Sequence, residues 1–166
     1  MYVIKERVVA LGQDSDITDA SGRLVFHVDG KAFSLHDRLI IQEPTGREVA
    51  EIRRRLVALT PTYEISRDGE EIAELRTKML TLFGPRFTLA VAGLGELEVR
   101  GDLSAHEFTV RRDDRVVATV SKRWLSISDT YAVDVAPGED DVLILAGVLA
   151  VDLVQDRARA GTGPGR

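Results

Sequence analysis

Residues 142–151 read VLILAGVLAV, ten successive positions with no polar side chain, bounded by Asp141 and Asp152. A helix that is apolar on every face must be enclosed by protein or by lipid. A bilayer span needs about 20 such residues, and Asp152 falls inside any extension of this run. The segment is therefore predicted to be a buried core helix. Glu139, Asp140 and Asp141 fall in its first turn, where carboxylates oppose the positive end of the helix dipole. Arg157 and Arg159 lie toward the end that favours cations. These signals predict a helix over about 139–155, roughly 25 Å long at 1.5 Å per residue. Ala146, Gly147 and Ala150 allow the surrounding structure to approach its backbone closely.

The sequence ahead of this helix has the period of strands. Apolar residues alternate at Leu24, Phe26 and Val28, at Phe87, Leu89 and Val91, and at Tyr131, Val133 and Val135. Turn signals punctuate them, among them Asp29-Gly30, Pro44-Thr45-Gly46, Asp68-Gly69, Asp113-Asp114 and Pro137-Gly138. Eleven or twelve strands are expected between Tyr2 and Val135, with no intervening segment keeping a helical period for three turns. The fold class is then mainly β: a closed antiparallel β-barrel of about twelve strands around a single hydrophobic C-terminal helix. A helix about 10 Å across suits the interior of such a barrel, whose width grows with strand number. Residues 47–65 also overlie residues 115–133 at an offset of 68, with Arg47, Val49, Ala50, Arg55, Thr62 and Tyr63 matching Arg115, Val117, Ala118, Arg123, Thr130 and Tyr131. A duplicated meander is a natural way to build a closed barrel.

Length and composition narrow the function classes. The 166 residues suit one domain, expected over 1–155 with a disordered tail at 156–166. A net charge of −5 opposes nonspecific nucleic-acid binding. The absence of cysteine removes disulfides, thiolate nucleophiles and sulfur-ligated metals. No signal-peptide-like run opens the chain, so a cytoplasmic location is expected.

No catalytic signature is present: neither G-x-S-x-G, nor a phosphate-binding Gly-Lys-Ser/Thr loop, nor HExxH. No cofactor is expected. His27, His36 and His106 read as surface or strand-end residues. Asp134, Glu139, Asp140 and Asp141 supply oxygens of the kind calcium takes, but they lack the spacing of a calcium loop, and helix capping accounts for three of them. Asp152 is expected at the barrel mouth or paired with an arginine there, and Trp124 in the core or at its edge. The candidate site is basic. Arg53, Arg54 and Arg55 occupy positions equivalent to Lys122 and Arg123 in the two matched stretches, with Arg111, Arg112, Arg76 and Lys78 as further cations. On a barrel wall such residues form either a cationic surface that captures phosphate oxygens or a solvated, salt-bridged face.

The stretch FSLHDRLIIQEPTGREVAEIRRRLVALTPTYEI, the second copy RVVATVSKRWLSISDTYAVDV and the terminal DDVLILAGVLAVDLV together resemble the LURP-one-related family, over about residues 2–155. That family is grouped with the Tubby C-terminal domain and the phospholipid scramblases. The resemblance implies a twelve-stranded barrel wrapped around a hydrophobic helix. It also implies a non-enzymatic domain binding anionic phospholipid headgroups or acting as a membrane-peripheral scaffold, with Arg53, Arg54, Arg55, Lys122 and Arg123 as ligands. The chain lacks the cysteines and Pro-rich extension of scramblases, which counts against scramblase activity. A structural module that binds a protein partner is the alternative, followed by an enzyme whose site is assembled from distant residues.

Overall fold

Alternating polarity assigns each strand an inner and an outer face, and the strands pair in chain order. The computed structural model describes residues 1–5, 14–30, 38–56, 59–81, 84–123 and 130–161. The strands are Tyr2–Lys5 (β1), Ser15–Asp19 (β2), Leu24–Asp29 (β3), Arg38–Gln42 (β4), Glu48–Arg54 (β5), Thr62–Arg67 (β6), Glu70–Thr81 (β7), Gly84–Val91 (β8), Gly95–Asp102 (β9), Glu107–Arg112 (β10), Arg115–Ser121 (β11) and Thr130–Val135 (β12), followed by the helix Asp141–Gly161 (α1). Each pairs antiparallel with its neighbours, and β1 pairs with β12 as well as β2, so the twelve strands close. Closure leaves no sheet edge open for pairing with another chain.

Antiparallel closure gives the barrel two distinct rims. At one, even strands end and tight turns bring the chain back; we call it the turn rim. The turn Asp68-Gly69 there has φ of 52° and 81°, the doubly positive geometry of a type I′ hairpin that Gly tolerates without strain. Register shifts lie in four of the five hairpins that turn at this rim, β2–β3, β4–β5, β6–β7 and β10–β11, and in the β7–β8 pair, which turns at the other. Such bulges add the local twist that closing a sheet requires. At the opposite rim odd strands end. Because α1 follows β12, it enters at the turn rim and leaves at the opposite one.

α1 fills the interior. Residues 143–154 are all buried, including Leu145, Ala146, Leu149 and Ala150 at 0 % exposure. Burying each Leu, Ile or Val side chain contributes roughly 1.5–3 kcal/mol, so the helix stabilises the wall as much as the wall encloses the helix. Gly147 marks a close approach: a Cβ there would lie 3.0 Å from Leu89 Cδ2. A void of only about 10 Å³ remains beside it, lined by residues that include Leu75, Leu89, Phe108 and Val148.

The helix bounds differ from those expected at both ends. Asp140 is the N-cap: its Oδ1 accepts the Leu143 N–H at 3.0 Å and its carbonyl accepts the Ile144 N–H. Glu139 stays in the preceding turn, drawn to Arg112. The helix also continues past Gln155 to Gly161, so residues 156–161 are helical and not part of a disordered tail. Arg159 holds this last stretch, pairing with Asp156 at 3.6 Å and donating to the Ser104 carbonyl at 3.4 Å.

A carboxylate placed inside this core has no partner to receive it. Leu145→Asp or Val148→Asp is expected to abolish cooperative thermal unfolding through a penalty of several kcal/mol. Circular dichroism melting checks this, and an unchanged melting temperature in either variant would show that the helix is not the core.

Candidate functional site

The two basic clusters lie at the same rim but on opposite sides. β5 and β11 are both odd strands, so Arg53, Arg54 and Arg55 and Lys122 and Arg123 all stand where odd strands end. In the closed order β5 and β11 are six strands apart in either direction. A twelve-stranded barrel is about 25 Å across, so the clusters cannot grip one small headgroup together. Strand period also divides them. Arg54 shares the parity of buried Ala50 and Ile52 and is set beside Tyr63, whereas Arg53 and Glu51 point outward.

Carboxylates accompany the outward arginines. Arg53 bonds Glu51 at 2.5 Å. Arg55 reaches Glu74 at 2.8 Å, Glu71 at 3.2 Å and Glu64 at 3.4 Å. Glu74, followed by the Glu64 hydrogen bond, holds the Arg55 pKa above its ordinary value. Across the barrel, Glu107 shapes the end of β11: its Oε1 accepts the N–H groups of Lys122 at 2.9 Å and Arg123 at 3.1 Å, and its carboxylate accepts the Ser121 hydroxyl. Burial pushes the Glu107 carboxyl up, but these donors outweigh it and hold it below the usual range. The Arg123 side chain itself is 84 % exposed, with Glu107 3.9 Å away.

Beside the triple arginine the rim is apolar. Leu56 is 78 % exposed and Leu59 is fully exposed, in the connection between β5 and β6. Of the remaining cations, Arg76 adjoins Arg55 through the Glu74 carboxylate they share, and the others stand apart. Arg111 and Arg112 end β10 at the turn rim, Arg76 pairs with Glu74, and Lys78 lies 3.5 Å from Glu96. Trp124 and His36 lie outside the described residues.

Asp152 corrects two expectations. It is 9 % exposed, buried where α1 nears the rim at which β9 ends, and its hydrogen-bond partners among the described residues are a tyrosine and a histidine, not an arginine. The Tyr131 hydroxyl donates to its Oδ2 at 2.5 Å, and His106 Nε2 lies 3.1 Å from its Oδ1. His106, read from sequence as a strand-end surface residue, is buried and stacks on Tyr131 with ring centroids 4.4 Å apart. Burial, with the negative charge of Asp152, drives the Tyr131 pKa well above its ordinary value. The phenol therefore stays a donor at any physiological pH. The matched residue Tyr63 is also buried, yet its hydroxyl has no hydrogen-bond partner among the described residues, and burial raises it to about 12.

The acidic segment is divided among separate structural tasks. Asp134 faces the N-terminal amine at 3.8 Å, Glu139 pairs with Arg112 at 2.9 Å, and Asp141 accepts the Tyr2 hydroxyl. Asp140 takes the Arg67 guanidinium through both oxygens, at 2.8 and 2.9 Å, besides capping α1. No group of three or more metal-ligating side chains occurs among the described residues. No helix among them is long and apolar enough to cross a membrane.

A closed antiparallel barrel filled by its own C-terminal helix defines a helix-centred barrel domain. The chain belongs to the LURP-one-related family, whose model matches residues 1–152. It is 33 % identical over 151 residues to the uncharacterized protein YxjI of Bacillus subtilis, covering 91 % of each chain. It is 22 % identical to protein LURP-one-related 14 of Arabidopsis thaliana, over 90 % of this chain and 82 % of that one. The X-ray structure of an Arabidopsis thaliana protein superposes with a TM-score of 0.67 at 18 % identity, covering 95 % of this chain and 91 % of that chain, and so shares the fold.

Two predictions test the polar core and the cap. Tyr131→Phe removes the hydroxyl donor to a buried carboxylate and should cost about 2 kcal/mol in urea unfolding, whereas Tyr63→Phe should change stability by less than about 0.5 kcal/mol. Equal effects would mean that the Asp152 contact does not discriminate the two tyrosines. Burial pushes the Asp140 carboxyl up, but Arg67 and the Leu143 and Val142 amides outweigh it and hold it below its ordinary value. A folded pKa below the unfolded one stabilises above the unfolded value of about 3.9 and is lost as pH falls through the folded value. Arg67→Gln should therefore cost up to about 1 kcal/mol at pH 7, the pair being partly solvated, and the gap should narrow as pH falls below about 4. A pH-independent gap in urea midpoints would contradict this.

Proposed function

We propose that the domain is a non-enzymatic module that docks peripherally on an anionic phospholipid surface at a cytoplasmic membrane face, through the rim at which β5 and β11 end. The observation that carries this reading is the exposure of Leu56 and Leu59 immediately after Arg53, Arg54 and Arg55. Large apolar side chains beside arginines suit the boundary between headgroups and acyl chains. Lys122 and Arg123, about 25 Å away on the same rim, suit a flat, extended partner better than a compact ligand.

The ion pairs at this rim do not exclude such contacts. A guanidinium carries five N–H donors, and one carboxylate occupies at most two. Arg53 and Arg123 thus retain donors for phosphate oxygens. Each basic residue close to an anionic surface contributes roughly 1 kcal/mol, and each leucine that enters the acyl boundary adds up to about 1.5–3 kcal/mol. With a net charge of −5 for the whole chain, this attraction is local. It should therefore weaken steeply with salt. The same exposed leucines also suit a protein partner, which is the second reading. A leucine-dependent contact indifferent to salt and to lipid charge would favour it.

Flotation with phosphatidylserine-containing and neutral vesicles separates the readings. The protein should float with anionic vesicles at low salt and not with neutral ones. Joint charge reversal of Arg53, Arg55, Lys122 and Arg123, or Leu56→Ser with Leu59→Ser, should weaken binding by tenfold or more. Equal flotation with both vesicle types, or with neither, would overturn the membrane reading.

A further inference from the structure

A second concave feature lies at the other end of the barrel, remote from the proposed membrane rim. The β8–β9 turn, the β10–β11 hairpin and the chain leading into α1 enclose a cavity of about 490 Å³, lined by residues that include Leu94, Leu97, Arg112, Arg115, Glu139 and Leu143. Sites for small ligands span about 300–1,000 Å³. Its floor is the buried end of the core, with Leu97 at 1 % and Ile144 at 2 % exposure, while Leu94 forms an exposed apolar wall.

The polar side is cationic at its base. Arg112 and Arg115 both approach the same oxygen, Glu139 Oε1, at 2.9 and 3.7 Å. The Glu139 side chain is only 8 % exposed, so a nearly desolvated carboxylate is shared between two guanidiniums. Asp140, the other acidic residue of the lining, is neutralised from outside by Arg67 and by the helix amides it caps. Asp113 and Asp114 stand exposed at the hairpin tip and do not line the cavity. One positive charge is thus left in surplus on the polar wall, and Arg115, 63 % exposed and farther from Glu139 than Arg112 is, has donors directed at no carboxylate within 3.5 Å among the described residues.

We propose that this cavity binds a small amphipathic anion, with a carboxylate or phosphate monoester head on Arg115 and an apolar body against Leu94, Leu97 and Leu143. A guanidinium accepts either head through paired N–H donors. An ammonium head would meet two arginines and a carboxylate already engaged by both. A neutral amphiphile would leave the surplus charge unanswered. The site does not depend on the membrane rim, since its residues lie at the barrel's other end.

Calorimetric titration with octanoate, octyl phosphate, octylammonium and octyl glucoside below their micellar concentrations tests the assignment. Octanoate or octyl phosphate should bind saturably at one site, and their relative affinity identifies the head. Octylammonium and octyl glucoside should bind at least tenfold more weakly. Arg115→Gln, on an exposed side chain, and Leu94→Asp, which sets a charge against the apolar body, should each weaken anion binding about tenfold, with melting temperatures verifying the fold. Arg123→Gln on the far rim should leave it unchanged. The assignment is overturned if neither anion binds saturably, if octylammonium binds as well as octanoate, or if Arg115→Gln and Leu94→Asp both retain full affinity.

Discussion

The interior of a twelve-stranded barrel must be filled, and the rest of this structure follows from how it is filled. A wall of that circumference encloses more space than inward side chains of single strands can occupy. Close packing of protein interiors tolerates few voids larger than a water molecule. α1 resolves the conflict by supplying apolar side chains in every direction at once, at the cost of a helix that is insoluble by itself. Barrel and helix are therefore one cooperative unit. Gly147 against Leu89 shows the fit at its tightest, and the small void beside it shows how little slack remains.

A filled core makes any polar intrusion conspicuous. Asp152 is the single ionisable residue on the buried stretch of α1, and its two oxygens meet Tyr131 from β12 and His106 from the β9–β10 connection. These contacts tie the emerging end of the helix to the wall, as Asp140 with Arg67 ties its start. The two rims then differ in character. One is built of tight turns and ion pairs around the helix N-terminus and holds a cavity between them. The other carries exposed leucines and arginines beside the helix exit. That asymmetry is why an extended surface is assigned to one end and a small ligand to the other.

The architecture was legible because it rests on local patterns. Alternation at residues such as Phe87, Leu89 and Val91 defines a strand whatever its neighbours are, and the length of VLILAGVLAV with Asp152 at its edge rules out a span. Strand number and the central helix followed. Helix bounds were less legible. The deciding contacts, Glu139 with Arg112 and Arg159 with the Ser104 carbonyl, join residues far apart in sequence. The candidate site was legible only in part. Of the two readings left open for the basic clusters, the salt-bridged one describes Arg55, surrounded by glutamates from β6 and β7, while the clusters lie around a rim with Arg54 on the inner parity. His106 gave no sequence signal of burial, although Asp152 by itself implied that some donor must reach it. The cavity at the turn rim is built from three separated segments, which no local pattern announces.

Native-state hydrogen exchange, read residue by residue, tests most directly whether helix and wall are one unit. Amides of residues 143–154 should exchange only through global unfolding, with the same free energy as the central amides of β6, β7 and β12. Exchange of the helix at a markedly lower free energy than these strands would mean that the barrel stands without it, and that α1 is not the core around which the sheet closes.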